Sequence, residues 1–152
     1  MKKQFSPVLS FVTIAFLFLS GCGKDEQPAA PKTNTELITQ SPWKFQSANS
    51  SLAGDISTNP ALACYVDNIM TFSSNGSGTI NEGTITCTTS LPTTFTWAFQ
   101  TNETILHLNF TLFNGGSPDF TIGSITENNL VLSQQVTVAP APTQTITVTF
   151  KH

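Results

Sequence analysis

The chain has 152 residues, of which 39% are hydrophobic and 10% are charged, so it is long enough for one domain with a hydrophobic core. It contains no arginine and has a formal charge of −3, which disfavours binding to phosphates and therefore to nucleic acid. Two of the lysines, Lys2 and Lys3, lie in a segment that we expect to be removed, which takes the charge from −3 to −5. Mild acidity of this kind favours solubility and identifies no ligand.

The first 21 residues have the pattern of an export signal. Lys2 and Lys3 precede an apolar run over residues 7–19, which is too short to span a bilayer comfortably. The segment ends in Leu-Ser-Gly-Cys22, which matches the bacterial lipobox, where small residues admit the signal peptidase and the cysteine thiol is acylated. We therefore predict a lipoprotein signal peptide over residues 1–21 and lipidation of Cys22, with two or more acyl chains that hold the protein on a membrane.

Residues 22–35 are predicted to form a lipidated, flexible tether. Residues 23–26 (GKDE) resemble the lysine-then-acidic export signal of surface lipoproteins in Bacteroidota; the alternative is a solvated charge run at the head of a linker. Residues 27–35 are rich in Pro, Ala and Thr and have no large apolar side chains, so they cannot form a core. The expected location is the outer membrane, with the protein lipid-anchored and exposed at the cell surface.

From residue 36 onward, short strands alternate with loops. Residues 43–47 alternate aromatic with polar side chains, which predicts a half-buried first strand. Residues 49–67 form a long connection in which Asn59 and Pro60 are expected to cap a short helical turn. Such a loop is either a binding loop or a passive one.

A hairpin is predicted next. Residues 68–73 and 77–81 are its two strands, and Asn75-Gly76 is expected to supply the positive φ angles of a tight turn. A bend then leads into a further extended segment at residues 84–88.

The second half of the chain continues this pattern. Residues 94–99 place three aromatic side chains on one face, which predicts the strongest strand. About eight short strands with turns between them, and no helix of ordinary length, predict an all-β antiparallel barrel or sandwich. The remaining strands are predicted at residues 104–112, 120–123, 130–138 and 144–151.

The order of these features resembles the lipocalin-like domains of bacterial lipoproteins. The shared features are an aromatic-led strand, a long loop, a cysteine before Asp67, the segment IMTFSSNG, a second cysteine and a Thr-Trp strand. The resemblance covers residues 36–152 and implies an eight-stranded meander barrel, with the long loop at an open mouth and Trp43 near the closed end. Ser41 replaces the glycine of the family's G-x-W signature. The arginine that covers the tryptophan is absent, so Lys151 is the candidate to take its place, although an ammonium group lacks a planar face.

The two cysteines beyond the signal, Cys64 and Cys87, are predicted to form a structural disulfide. An exported protein is in an oxidising environment, and closing this loop contributes about 3 kcal/mol in the chain-entropy model. The alternatives are a redox or metal role, but the chain has no C-x-x-C, and His107 and His152 are not spaced as ligands. We expect His107 on the outer face of its strand and Asp67 as a brace of the loop beside Cys64.

The sequence contains none of the familiar hydrolase, metalloprotease or nucleotide-binding motifs. We therefore predict no enzymatic activity, no cofactor and no metal, with a hydrolase built from remote carboxylates as the remote alternative.

An eight-stranded barrel either fills itself with side chains or holds one small ligand, and the many aromatics favour filling. The first functional hypothesis is a non-catalytic barrel that binds a small apolar molecule or a glycan in its mouth. The alternative is a structural or protein-interaction module that contacts another envelope protein. The residues predicted to contact a ligand are Phe72, Phe95, Trp97, Phe99, Leu106, Leu108, Phe110 and Phe120.

Overall fold

The computed structural model describes residues 30–40 and 42–152. The predicted signal peptide, Cys22, the export signal at residues 23–26 and the signature position Ser41 lie outside the described residues. No helix in the described part of the chain is long and apolar enough to cross a membrane.

In the described residues, nine strands form one antiparallel sheet, and eight of them close into a barrel. From β3 onward each strand pairs with the next in sequence, and β1 closes the ring by pairing with both β3 and β9. Strand β2 extends the end of β1 as a small hairpin. The predicted all-β, eight-stranded meander barrel is confirmed. The elements are α1 Asn34–Thr39, β1 Trp43–Ser50, β2 Gly54–Asp55, a 3-10 helix Pro60–Tyr65, β3 Ile69–Phe72, β4 Ser77–Asn81, β5 Thr94–Gln100, β6 Ile105–Leu108, β7 Asp119–Ile125, β8 Asn129–Val136 and β9 Gln144–Lys151.

Antiparallel pairing divides the connections between two ends of the barrel. One end, here called the closed end, carries helix α1, the C-terminus and the shorter turns at residues 73–76, 101–104 and 126–128. The other end, here called the mouth, carries the four longer connections at residues 51–68, 82–93, 109–118 and 137–143. The chain therefore enters the barrel at the end opposite the mouth.

Helix α1 covers the closed end and begins with a capping box. The Thr33 hydroxyl accepts a hydrogen bond from the Glu36 amide at 3.2 Å, and the Glu36 carboxylate accepts one from the Thr33 amide at 2.7 Å. Ile38 of this helix is fully buried. Asn34 and Thr35, which we assigned to the tether, thus belong to a helix that packs on the barrel, and Thr33 is its N-cap.

Trp43 is fully buried beneath α1, and its indole nitrogen donates to the Ile38 carbonyl at 2.8 Å. The imidazole of His152 lies over the indole, with ring centroids 3.9 Å apart. The expectation that Lys151 covers Trp43 is wrong. Side chains alternate along β9, so Phe150 is buried and Lys151 is exposed to solvent.

The inward faces of the strands fill the barrel. Leu106, Phe120 and Val148 are fully buried. Phe72 packs edge-on against both Phe95 and Trp97, with ring centroids 5.3 and 5.6 Å apart. The side chains themselves therefore occupy the barrel interior, as the aromatic content favours.

Three local expectations need correction. In the β3–β4 turn Gly76 has a φ of +82° but Asn75 does not have positive φ; instead its side chain accepts from the Ser77 amide at 3.0 Å. The extended segment expected at residues 84–88 is irregular. The strand expected over residues 104–112 ends at Leu108, because the side chain of Asn109 takes a hydrogen bond from the Thr96 amide at 2.9 Å and competes with the ladder.

Candidate ligand-binding clefts at the mouth

A cleft of about 720 Å³ opens at the mouth of the barrel. Three segments form its walls: the 3-10 helix, the part of the β4–β5 connection at residues 85–92, and the β6–β7 connection at residues 110–114. We call this opening the mouth cleft.

The 3-10 helix forms where the sequence predicted a short helical turn. The Asn59 side chain accepts from the Ala61 amide at 2.9 Å, and Pro60 occupies the first turn, where its missing N–H costs nothing. Leu62 faces inward and is buried. One side of this short helix therefore anchors in the core while the other lines the cleft.

The predicted disulfide between Cys64 and Cys87 is confirmed, with Cα atoms 5.0 Å apart. It joins the end of the 3-10 helix to the β4–β5 connection, and both cysteines line the mouth cleft. The disulfide therefore fixes the distance between two walls of the cleft.

Asp67 braces the same region, as expected. Its carboxylate accepts hydrogen bonds from the backbone amides of Thr84 at 2.7 Å and Ile85 at 3.0 Å. These bonds stabilise the charged form and lower the pKa of Asp67 below its ordinary value. Gly83 is required beside it, because its φ is +66° and a Cβ there would lie 2.4 Å from the Asp67 carboxylate. The brace also explains why this connection is irregular, since its amides donate to a side chain.

Among the residues that the structure describes, those that line the mouth cleft include no charged side chain. It combines hydroxyl and amide groups, which both donate and accept hydrogen bonds, with aromatic and aliphatic groups. The polar groups come from Thr86, Thr88, Thr89, Ser90, Thr111 and Asn114, and the larger apolar ones from Tyr65, Ile85, Leu91, Phe110 and Leu112.

A smaller cleft of about 290 Å³, here called the side cleft, opens on the other side of Tyr65. The Tyr65 hydroxyl donates to the Leu112 carbonyl at 2.7 Å, and its ring packs against Phe113 with centroids 5.7 Å apart. Burial raises the pKa of Tyr65, and the negative charge of Glu82 adds to this effect, so the phenol stays protonated and able to donate. Tyr65 is thus a wall common to both clefts.

His107 is on the outer face of β6, partly exposed, and its Nδ1 lies 2.6 Å from a carboxylate oxygen of Asp119. This is a cross-strand pair on the barrel wall. Across the described residues, no group of three or more His, Cys, Asp or Glu side chains is arranged to hold a metal ion.

Most of the residues predicted to contact a ligand lie inside the packed barrel. Of the eight, only Phe110 lines the mouth cleft; Phe99 is partly buried against the core, and the remaining six are buried. Ligand contact by the core residues stays a prediction. Sequence reasoning missed the lining at residues 86–91, for which the only signal was a run of Thr and Ser beside a cysteine.

A closed antiparallel barrel, capped at one end and carrying long loops at the other, is the architecture of a binding domain. A family model described as a lipocalin-like domain matches residues 38–132, more than half of the chain, and the chain belongs to this family. The resemblance drawn from the sequence is therefore confirmed at the level of the domain. This family is generally a non-enzymatic binding fold, which supports a non-catalytic domain of the binding type. A search of curated proteins found no match.

Proposed function

We propose that this protein is a lipid-anchored lipoprotein of the outer membrane whose barrel binds a neutral glycan in the mouth cleft. The observation that carries the proposal is an uncharged cleft of about 720 Å³ above a barrel filled by its own side chains. This observation supports a ligand site among the loops at the mouth in preference to the barrel interior.

The chemistry of the lining favours a neutral polyhydroxylated ligand. A carboxylate or phosphate ligand would find no cation in the wall, and an ammonium ligand would find no anion. Hydroxyl side chains such as Thr88 and Ser90 match sugar hydroxyls, because both groups donate and accept. Tyr65 and Phe110 add aromatic rings to the lining.

The size of the mouth cleft also suits a short oligosaccharide. Its volume lies within the usual range for ligand pockets, about 300–1,000 Å³. A cavity of about 150 Å³ holds benzene, with six carbon atoms, so the mouth cleft has room for about 30 non-hydrogen atoms, or two to three sugar units.

The proposed anchor is the lipid on Cys22, for which the lipobox and the apolar run before it are the support. The GKDE segment supports exposure at the cell surface. Helix α1 supports a mouth that is free to meet ligand, because the chain enters the barrel at the closed end. Replacement of Cys22 with alanine should release the protein from membranes; unchanged fractionation would contradict the anchor.

Binding is tested on an array of neutral oligosaccharides, followed by calorimetry on any glycan retained. Ala63 is an exposed residue of the cleft wall, so Ala63→Trp should block the mouth cleft and weaken binding at least tenfold. Ala98 is equally an exposed alanine but lies on the outer face of β5, so Ala98→Trp is the matched control and should bind as the parent does. Equal binding by both variants, or no neutral glycan retained, would contradict the proposal.

A second candidate function, a protein-interaction module, is favoured by the distribution of exposed apolar side chains. The large ones that are 44–60% exposed are all on mouth connections: Leu52, Val66, Ile85 and Val138. Larger exposed apolar surfaces mark interaction sites. A photo-crosslinker at Val138 should then yield one defined envelope-protein adduct in cells, and the same crosslinker at Ala98 should yield none; no adduct at either position rules this candidate out.

A further inference from the structure

Two lysines lie side by side on the outer wall of the barrel near its closed end. Lys44 on β1 and Lys151 on β9 are direct partners in the antiparallel ladder, and both are exposed. We propose that this pair binds the phosphate groups of anionic lipids, so that the closed end rests on the membrane and the mouth points away from it. The inference rests on the proposed anchor at Cys22, which brings the domain to a lipid surface.

The register of the sheet places the two ammonium groups on one face. Trp43 and Phe150, the preceding residues on the two strands, are buried, so alternation turns Lys44 and Lys151 to the outer face. Opposite residues of an antiparallel pair have Cβ atoms about 4.5–5.5 Å apart, and like charges at such positions repel each other. An anion bound between the two ammonium groups would offset this repulsion.

The surroundings of the pair on the sheet are uncharged. The cross-strand neighbour of Lys44 on β3 is Ile69, and that of Lys151 on β8 is Asn129. Among the described residues, neither lysine forms an ion pair or a hydrogen bond through its ammonium group. A bound anion would therefore supply the missing counter-charge.

The acidic side chains at the closed end are held by other partners. Glu127 pairs with Lys32 at 2.8 Å, and the hydrogen bond and charge of this lysine lower the pKa of the Glu127 carboxyl. Glu103 accepts a hydrogen bond from the Asn34 side chain at 3.0 Å, and Glu36 belongs to the capping box of α1. Each of these carboxylates thus has a partner other than the lysine pair.

The charges of the domain are divided between its two ends. The lysines of the described residues all lie at the closed end: Lys32, Lys44 and Lys151. The described mouth connections, with the strand ends beside them, carry only acids: Asp55, Asp67, Glu82 and Asp119. A surface of anionic lipids attracts lysines and repels carboxylates within a Debye length of about 8–10 Å. Such a surface therefore favours contact with the closed end, although the protein as a whole is acidic.

The tether lets the closed end reach the membrane. Lys32 is ten positions after Cys22, and a segment of this length spans at most about 35 Å when fully extended. The anchor also raises the effective concentration of the lipid surface, so two lysines are enough to bias the orientation of the tethered domain.

The test holds the mature protein on lipid nanodiscs by a bond that does not depend on natural acylation. Cys22 is the one cysteine outside the disulfide, so its thiol can be joined to a maleimide lipid. One set of discs contains phosphatidylcholine alone, and the other contains about 30% phosphatidylglycerol, which makes the surface negative. A gadolinium chelate on a lipid headgroup broadens the NMR signals of amides close to the membrane, which measures the ratio of docked to undocked orientations.

In anionic discs the amides of Asn129 and Thr149, beside the lysine pair, should broaden more than that of Thr88 at the mouth. Each lysine near an anionic surface contributes about a fivefold preference, so Lys44→Gln/Lys151→Gln should lower the docked-to-undocked ratio by about 25-fold. The parent in neutral discs should match this variant. Equal docking of the parent in neutral and anionic discs, or no effect of the double variant, would overturn the proposal.

A control variant separates this contact from the effect of net charge. Gln100→Glu/Gln135→Glu changes the net charge by the same two units at exposed positions of β5 and β8, and should dock nearly as the parent does. A loss as large as that of the lysine variant would contradict the proposal. The resonance of the Trp43 indole N–H reports that each variant is folded.

Inorganic phosphate distinguishes a lipid phosphate from a free one. Without discs it should leave the amides of Asn129 and Thr149 unshifted, because two lysines without the tether bind weakly. Saturable shifts would assign the pair to free phosphate and contradict the assignment to lipid. Since the maleimide bond replaces the natural lipid, failure of this contact and failure of Cys22 lipidation are distinguishable.

Discussion

The disulfide between Cys64 and Cys87 should be the largest single covalent contribution to stability, and its loss should open the mouth cleft. The two cysteines are 23 residues apart in sequence, which gives about 3.4 kcal/mol in the chain-entropy model. A domain of this size has a total stability of about 5–15 kcal/mol, so the double variant Cys64→Ser/Cys87→Ser should remain folded but be much weaker. Its Tm should fall by about 10–20 °C.

The assay is urea unfolding followed by tryptophan fluorescence, on the parent with and without reductant and on the double variant. Hydrogen exchange adds a local readout: amides of residues 85–92 should exchange faster in the double variant, whereas those of β8 and β9 should change only with the global stability. A loss of less than about 1 kcal/mol, or no local change in exchange, would refute the claim that the disulfide holds the cleft walls together.

Three further variants test the closed end, the brace and the packing of the barrel. His152→Ala should lower the free energy of unfolding, measured in urea, by about 0.5–1.5 kcal/mol because it uncovers Trp43, whereas Lys151→Ala should change it by no more than about 0.5 kcal/mol. A larger loss for Lys151→Ala than for His152→Ala would contradict the assignment of His152 as the residue that covers Trp43. The pKa of Asp67 is lower in the folded state than in the unfolded state, so its contribution to the free energy of unfolding is fully present above the unfolded pKa of about 3.9 and is lost as pH falls through the lower folded pKa. Asp67→Asn should therefore make the free energy of unfolding less dependent on pH in the acid range. An unchanged pH dependence would count against the brace. Gly78→Ala should cost about 1–3 kcal/mol by the same assay, because its Cβ would lie 2.2 Å from a facing phenylalanine ring; a neutral effect would show that the ring can move.

The strands with regular alternation were predictable from the sequence, because a period of two specifies a buried and an exposed face. The segment at residues 94–99 and the closing strand at residues 144–151 appear as β5 and β9, and buried residues alternate with more exposed ones along both. Their aromatic and β-branched residues suit extended backbone, and local preference and burial agree there.

The elements that sequence reasoning missed depend on single side chains that act on the backbone. Helix α1 is six residues long and starts from the Thr33–Glu36 capping box, a local signal inside a segment that otherwise has the composition of a linker. Strand β6 ends early because the Thr96 amide donates to the side chain of Asn109 and not to a backbone carbonyl of the sheet. The residue that covers Trp43 depends on the direction that the chain takes after β9. The alternation of side chains along a strand does not predict this direction, because it ends where the strand ends.

The candidate site was less predictable than the fold for a physical reason. Bulky inward residues indicate a core, but a list of inward residues does not say whether the core is filled. In this barrel the aromatics pack against each other, so the open volume lies among loops whose Thr and Ser residues carry no periodic signal. The disulfide was predictable as a pair, whereas its place in the wall of a cleft required the structure.

The central claim is that ligand binds among the mouth loops and not inside the barrel. The most direct measurement is a methyl and amide NMR titration of the mature protein with a neutral oligosaccharide selected on the array. The proposal predicts shifts at Thr86, Thr89 and Phe110, with Leu106 and Leu132 in the barrel interior unchanged. Shifts concentrated at the interior residues, with residues 86–91 unchanged, would contradict it.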